Sequence, residues 1–312
     1  MVLCETKTDF PKAIPTEKQP GYILVENHKD LVRIAGELER ETALGVDLEA
    51  DSMFHYQEKV CLVQVSTASE NFVFDPLALK DLSPLRALFA DSGIRKVFQG
   101  ADYDIRSLQR DFGIVVGALF DTQIAARLLG MKETGLASLL KNQMGITIEK
   151  KYQKKDWSKR PLPQAMLSYA VLDACYLLPM ARLLENELRI KGRLSWAEEE
   201  CELQSKVTPS LPDHRPFFMR FKGARKLDRR SLAVLESVLQ LRDEVARRRN
   251  LPPFKVLGSG PIMEIAQRKP ETETALKTIR GVSSKKAESL AGHLLKRVHQ
   301  ALGQPEDSLP FF

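Results

Sequence analysis

Hydrophobic and polar positions in the first two-thirds of the chain switch between two periods. In "ALGVDLEA" (residues 43–50) Leu44, Val46 and Leu48 alternate with Gly45, Asp47 and Glu49, the period of a half-buried strand. "YILVEN" (22–27), "VCLVQVST" (60–67) and "NFVFD" (71–75) also read as strands. Between the first two, "HKDLVRIAGELERE" places Leu31, Ile34, Ala35 and Leu38 on one helical face. The pieces separating 43–50, 60–67 and 71–75 are short enough for an antiparallel meander. "SPLRALFADSG" predicts a helix with Ser83 as N-cap, Pro84 at its first position and Gly93 past its end. "IRKVFQG" follows as a strand, and "DYDIRSLQRDFG" as a helix capped by Asp102 and closed by Gly113. Through about Lys191 the rest is mostly helical. The class is α/β, with a mixed β-sheet flanked by helices.

From about Gly192 to Lys222 the periodicity breaks up, and "TPSLPDHRPFF" carries three prolines, as a linker does. Beyond it, "DRRSLAVLESVLQLRDEVARRRN", "GPIMEIAQRKP", "TETALKTIRG" and "SSKKAESLAGHLLKRVHQAL" read as helices of a small all-α domain. No internal repeat is evident. The predicted organisation is a flexible lead-in over 1–20, an α/β domain over 21–195, a linker over 196–224, a helical domain over 225–304 and a tail over 305–312. A length of 312 residues suits two domains.

Composition adds exclusions. No apolar run approaches the roughly 18 residues that cross a bilayer, so no membrane partner is expected. The N-terminus lacks a basic start followed by an apolar core, so no secretory signal is read. Cys4, Cys61, Cys175 and Cys201 are scattered, which argues against a thiolate metal site or a disulfide framework and for reduced thiols in the cytoplasm. The net charge of +6 is localised: residues 222–255 hold ten Lys/Arg against four acids. Such a stretch suits a polyanionic partner as well as a plain solvated helix face.

The candidate chemistry is acidic. Asp47 and Glu49, two apart on a strand, project to one side. Asp51 joins them only if the strand runs on. The Asp-x-Glu-x-Asp spacing with Glu58 imitates a calcium-binding EF-hand loop, but Ser52 stands where that loop needs Gly, and the flanks are not helical. Asp104 lies in the first turn of a predicted helix, where capping and the helix dipole alone favour acids. Tyr169 and Asp173 share a helix face at i, i+4, past Pro161 and Pro163. Each is unremarkable alone. Together they are four carboxylates and a phenol that could converge on two hard divalent cations, Mg²⁺ or Mn²⁺, whose preferred ligands are oxygens. Two such ions about 3.5–4 Å apart activate water and stabilise the leaving oxygen in phosphodiester cleavage.

These segments resemble the three motifs of the DEDDy 3′–5′ exonuclease superfamily, and most closely those of ribonuclease D: "GVDLEAD", "KVFQGADYDIRSL" and "YAVLDACYLL". "CLVQVST", "FDTQIAARLLG" and "KKDWSKRPLPQAMLSYA" extend the similarity over about residues 22–188. The resemblance implies an RNase H-like sheet, metal binding by Asp47, Glu49, Asp104 and Asp173, and water positioning by Tyr169. "LQLRDEVARRRNLPPFKVLGSGPIMEIAQRKP" and "LKTIRGVSSKKAESLAGHLLKRV" resemble an HRDC domain, a helical nucleic-acid-binding module, over about 227–302.

The function expected is a metal-dependent exoribonuclease that trims RNA 3′ ends, tRNA or other structured precursors, and releases nucleoside 5′-monophosphates. No obligate protein partner is evident. The alternatives are the same chemistry on DNA, or a non-catalytic nucleic-acid-binding protein. Candidate nucleic-acid contacts are Phe54 and Tyr56 by base stacking, Gln64, then Trp157 and Arg160, which line the substrate groove or simply pin a loop, and Arg247, Arg248 and Lys255 as phosphate partners. Lys285 and Lys286 join them, in the first turn of a predicted helix begun near Ser283 or Ser284.

Overall fold

The computed structural model describes residues 20–149, 151–211, 213–282 and 289–312. These divide into two units. The first runs to Asp51 and resumes over Lys59–Ser210; the second comprises Ser52–Glu58 and Leu211–Phe312.

The first unit is built on a six-stranded sheet in the order β1-β4-β3-β2-β5-β6. Its strands are β1 (Ile23–Val25), β2 (Ala43–Ala50), β3 (Val60–Ser66), β4 (Asn71–Phe74), β5 (Arg95–Phe98) and β6 (Leu119–Asp121). β2, β3 and β4 pair antiparallel, the expected meander, while β1–β4, β2–β5 and β5–β6 are parallel. The helices are α1 (His28–Leu38), α2 (Pro76–Leu79), α3 (Pro84–Ala90), α4 (Asp102–Phe112), α5 (Thr122–Leu128), α6 (Leu136–Leu139), α7 (Gln164–Cys175), α8 (Leu177–Ile190) and α9 (Leu194–Ser205).

Period-two alternation assigns the two faces of β2. Leu44, Val46 and Leu48 turn into one core with Leu31, Ile34 and Leu38 of α1 and Leu85, Leu88 and Phe89 of α3. Gly45, Asp47 and Glu49 turn the other way, toward α7. There Cys61, Leu62 and Val73 of the sheet meet Met166, Leu167, Tyr169, Ala170 and Val171. α7 is apolar almost all round because it is buried almost all round. Gly45 lets it approach, since a Cβ there would lie 2.7 Å from the Ala174 carbonyl oxygen. The β2–β3 register shifts between Glu49 and Ala50. That bulge ends the alternation, so Asp51 does not join the other acids. Its Oδ1 instead accepts the Lys59 backbone N–H at 2.8 Å.

Several expectations need correction. Residues 196–205 are not linker: α9 belongs to the first unit, and Ala197 is part of its core. Ser83 makes no capping bond and donates to Asp81 instead, and α3 stops at Ala90. The residue before α4 is Ala101, while Asp102 is already helical and pairs with Arg106. Gln164–Ile190 is apolar enough by length and composition to cross a membrane, but 67% of its apolar window is buried inside the protein as core helix.

The second unit is helical: α10 (Arg229–Arg249), α11 (Pro253–Val256), α12 (Ser259–Arg268), α13 (Glu273–Lys277) and a helix over Ala291–Leu302, around a core that includes Leu235, Val238, Ile262, Leu276 and Leu294. The 305–312 segment is no free tail, because Leu309 is buried in this core and Phe312 meets Phe218 edge-on at 5.2 Å. Ser283, Ser284, Lys285 and Lys286 lie outside the described residues.

Candidate active site

Three segments distant in sequence deliver acids to the α7 face of the sheet. Asp47 and Glu49 come from β2, Asp104 from the first turn of α4, and Asp173 from the last turn of α7. One carboxylate oxygen each of Asp47, Glu49 and Asp173 lie within 4.8 Å of one another. Asp104 is outside that trio but close enough for its charge to act on Asp47 and Glu49. Burial, then the neighbouring carboxylates, push Asp47 and Glu49 well above the usual carboxylate range. Burial, with Asp121 beside it, raises Asp104 to about 7. Burial raises Asp173 to about 6 against the opposing hydrogen bond from the Tyr169 hydroxyl. Among the described residues no Lys or Arg forms an ion pair with any of the four. Crowded, desolvated carboxylates with no cation of their own are the donor set that a hard divalent ion fits. All four candidate ligands offer carboxylate oxygens that suit such an ion.

Tyr169 sits one turn before Asp173 and donates its hydroxyl hydrogen bond to that carboxylate. Its phenol is pushed up by burial and by Asp173, so it keeps its proton. Two aromatics fix the ring: Trp157 stacks on it at 6.3 Å between centroids, and Tyr152 meets it edge-on at 5.7 Å.

Residues with no role legible from their spacing support the site. Asp121 caps α5 and also accepts the backbone N–H groups of Gly100 (2.9 Å) and Ala101 (2.7 Å), the turn that launches α4 and Asp104. Gly100 takes a left-handed φ of 74° in that turn. The Thr122 hydroxyl donates to the Phe98 carbonyl oxygen, tying α5 to β5. Arg160 forks onto Asp75 with its Nη2 2.7 Å from Oδ1, and also donates to the carbonyls of Cys61 and Trp157. Its donors are thus committed to anchoring the Trp157 loop on the sheet. Trp157 itself is 1% exposed. Gln64 is equally buried, directly opposite Asp47 on β3. Of these three candidates Trp157 and Gln64 are buried, whereas Arg160 stays exposed with its guanidinium bonded to Asp75.

The remaining candidates fall in the second unit. The Tyr56 hydroxyl donates to Asp243 (2.7 Å) and accepts from Arg247 Nε (2.8 Å), whose guanidinium also lies over its ring. The Lys255 ammonium sits 4.1 Å above the centre of Phe54. Arg248 is exposed near the end of α10.

Residues 22–189 match the family model described as a 3′–5′ exonuclease, and residues 231–298 match the HRDC domain. The ribonuclease D of Gluconacetobacter diazotrophicus is 34% identical over 93% of this chain and 75% of its own length. This chain belongs to the ribonuclease D family. The crystal structure of the catalytic core of RRP6 from Trypanosoma brucei superposes with a TM-score of 0.81 at 30% identity, covering 95% of this chain and 83% of that one. Escherichia coli RNase D, described as an exoribonuclease involved in structured RNA processing, superposes at 0.75 with 28% identity, covering 93% and 78%. The ribonuclease D fold and activity expected from the sequence therefore hold: the protein is a hydrolase of the 3′–5′ exoribonuclease class with a C-terminal HRDC domain.

Proposed function

We propose that this exoribonuclease trims the 3′ ends of structured RNA, tRNA precursors among them, using two divalent cations, Mg²⁺ or Mn²⁺, held by Asp47, Glu49, Asp104 and Asp173. The observation that carries the reading is the convergence of β2, α4 and α7 on one desolvated acidic cluster with the Tyr169 hydroxyl on its edge. When bound, the cations supply Lewis-acid activation of water and neutralise charge on the leaving oxygen. The chain's own residues do the rest. The four carboxylates fix where positive charge sits, and Asp173 anchors the Tyr169 phenol. That phenol keeps its proton and so orients the attacking water, or the last phosphate, as a hydrogen-bonding group rather than as a base. Trp157 and Tyr152 hold its ring in place. The product is a nucleoside 5′-monophosphate. RNA is gripped by the basic surface of the helical unit, including Arg248, through phosphate contacts without sequence preference. The free thiols of Cys61, Cys175 and Cys201 fit work in the cytoplasm.

The test is a digestion of 3′-structured RNA and matched DNA, end-labelled at the 5′ terminus, with Mg²⁺ or Mn²⁺. A 3′-to-5′ ladder on RNA, lost in Asp47→Asn with RNA binding retained, is expected. Full activity in that variant refutes the ligand assignment, and preference for DNA refutes the substrate.

A further inference from the structure

Gln64 is buried on β3, 1% exposed, and neither its Oε1 nor its Nε2 meets a protein partner. A buried primary amide offers two donors and an acceptor, and interiors rarely leave all of them unanswered. Its place in the sheet is specific. The register sets Gln64 directly against Asp47 on β2 and, on its other side, against Val73 on β4. Directly opposed residues share a face, with Cβ atoms about 4.5–5.5 Å apart, so the amide is within reach of the Asp47 carboxylate. The next β3 residue on that face, Ser66, lies opposite Gly45, and its buried hydroxyl also lacks a protein partner. The unanswered polar atoms thus line the strand edge of the acidic cluster under α7, while the opposite face of the same strand is Val63 and Val65 in an apolar core.

We infer that Gln64 is a positioning residue for Asp47: its amide N–H holds one oxygen of the Asp47 carboxylate when the other is drawn onto a divalent cation. The inference rests on the metal-site reading above. Carboxylate ligands are ordinarily oriented by a hydrogen bond to the oxygen that does not face the metal, and losing that bond weakens metal affinity by about 10–100-fold. The same amide is a liability without the cation, because it is buried and unpaired. This predicts opposite signs for the two states, which a packing role does not.

The experiment uses the full chain stripped with chelator, and Gln64→Met, an unbranched apolar side chain of similar length. Mn²⁺ binding is followed by calorimetry and melting is recorded in chelator. The expected result is Mn²⁺ affinity at least tenfold weaker than the parent protein, with a melting temperature in chelator unchanged or higher. Affinity within twofold of the parent overturns the inference. So does a lower melting temperature in chelator accompanied by the same shift from saturating Mn²⁺ as in the parent, the signature of packing alone. Should Gln64→Met fail to fold, Gln64→Leu is read by the same two criteria. If the parent protein itself binds no Mn²⁺, the metal-site reading fails; if the parent binds and the variant binds equally, only the role of Gln64 does.

Discussion

Asp104 and Asp173 hold protons in a pH range where ordinary carboxyls do not, raised by burial to about 7 and about 6. In an unfolded chain both titrate near 3.9. Between those values the folded, metal-free protein binds more protons than the unfolded chain, so its stability is full below about pH 4 and falls as pH rises through 6 and 7. Divalent ligation needs these groups ionised, so metal binding releases protons and tightens with pH over the same window. Melting curves in chelator should therefore decline from pH 5 to pH 8 more in the parent than in Asp173→Asn. The gain in melting temperature from saturating Mg²⁺ should grow across that range. A metal-induced gain that stays flat with pH would show that these carboxyls are not the ligands. At this scale the acids themselves were legible, because each falls on a regular period: i, i+2 on a strand, the first turn of a helix, i, i+4 beside a tyrosine. Their supports were not. Asp121 reaches back to Gly100 and Ala101, and Arg160 to Asp75, so both roles exist only after the chain has folded. Arg160 read equally as a groove residue or a loop pin because a sequence shows the guanidinium and not the Asp75 carboxylate that it meets.

The two walls of the proposed metal site are separate elements, β2 and α7, and what sets their distance is a residue with no side chain. A Cβ on Gly45 would sit 2.7 Å from the Ala174 carbonyl oxygen and 3.2 Å from the Leu177 Cβ. The first of these is backbone and cannot rotate away, so Gly45→Ala must push α7 off the sheet. Overpacking of this kind costs about 1–3 kcal/mol. Asp173 is the residue before Ala174, so the displacement also pulls a proposed ligand out of the cluster. We expect Gly45→Ala to lower chemical-denaturation stability and to weaken Mn²⁺ binding by about tenfold or more. Gly36→Ala, in α1 with open space around it, is the control: it should stabilise by up to about 1 kcal/mol through helix propensity and leave Mn²⁺ binding alone. Equal metal affinity in Gly45→Ala and Gly36→Ala would count against this spacing role. Element existence was readable from periodicity, and the β2–β3–β4 meander from short connections. Cap residues were less so. Ser83 and Asp102 have the right chemistry for N-caps, but Asp81 and Arg106 compete for their side chains. The broken periodicity likewise made 196–205 read as linker, although Ala197 and Cys201 are buried where α9 packs.

For the molecule as a whole, the decisive quantity is how much of the positive charge in residues 222–255 is free to meet phosphate. Its total was legible, but its use was not. Arg229 donates to the Leu309 carbonyl oxygen, and Arg230 to that of Leu302 and to Glu306. Arg247 serves Tyr56 and Asp243, and Lys255 rests on Phe54. Much of the basic stretch therefore holds the helical unit and its Ser52–Glu58 segment together, and only part of it remains for RNA. Each phosphate contact contributes about 0.7 to the slope of log affinity against log salt for a single strand. A chain ending at Ser210 should consequently lose a slope equivalent to a few contacts rather than ten, while still shortening short oligonucleotides. Filter binding of a single-stranded RNA across a salt series, on the full and shortened chains, measures this directly. A loss near seven in slope would mean that the internally bonded arginines are released to RNA on binding. An unchanged slope would mean that the helical unit contributes no phosphate contact, and that the charge of +6 is structural.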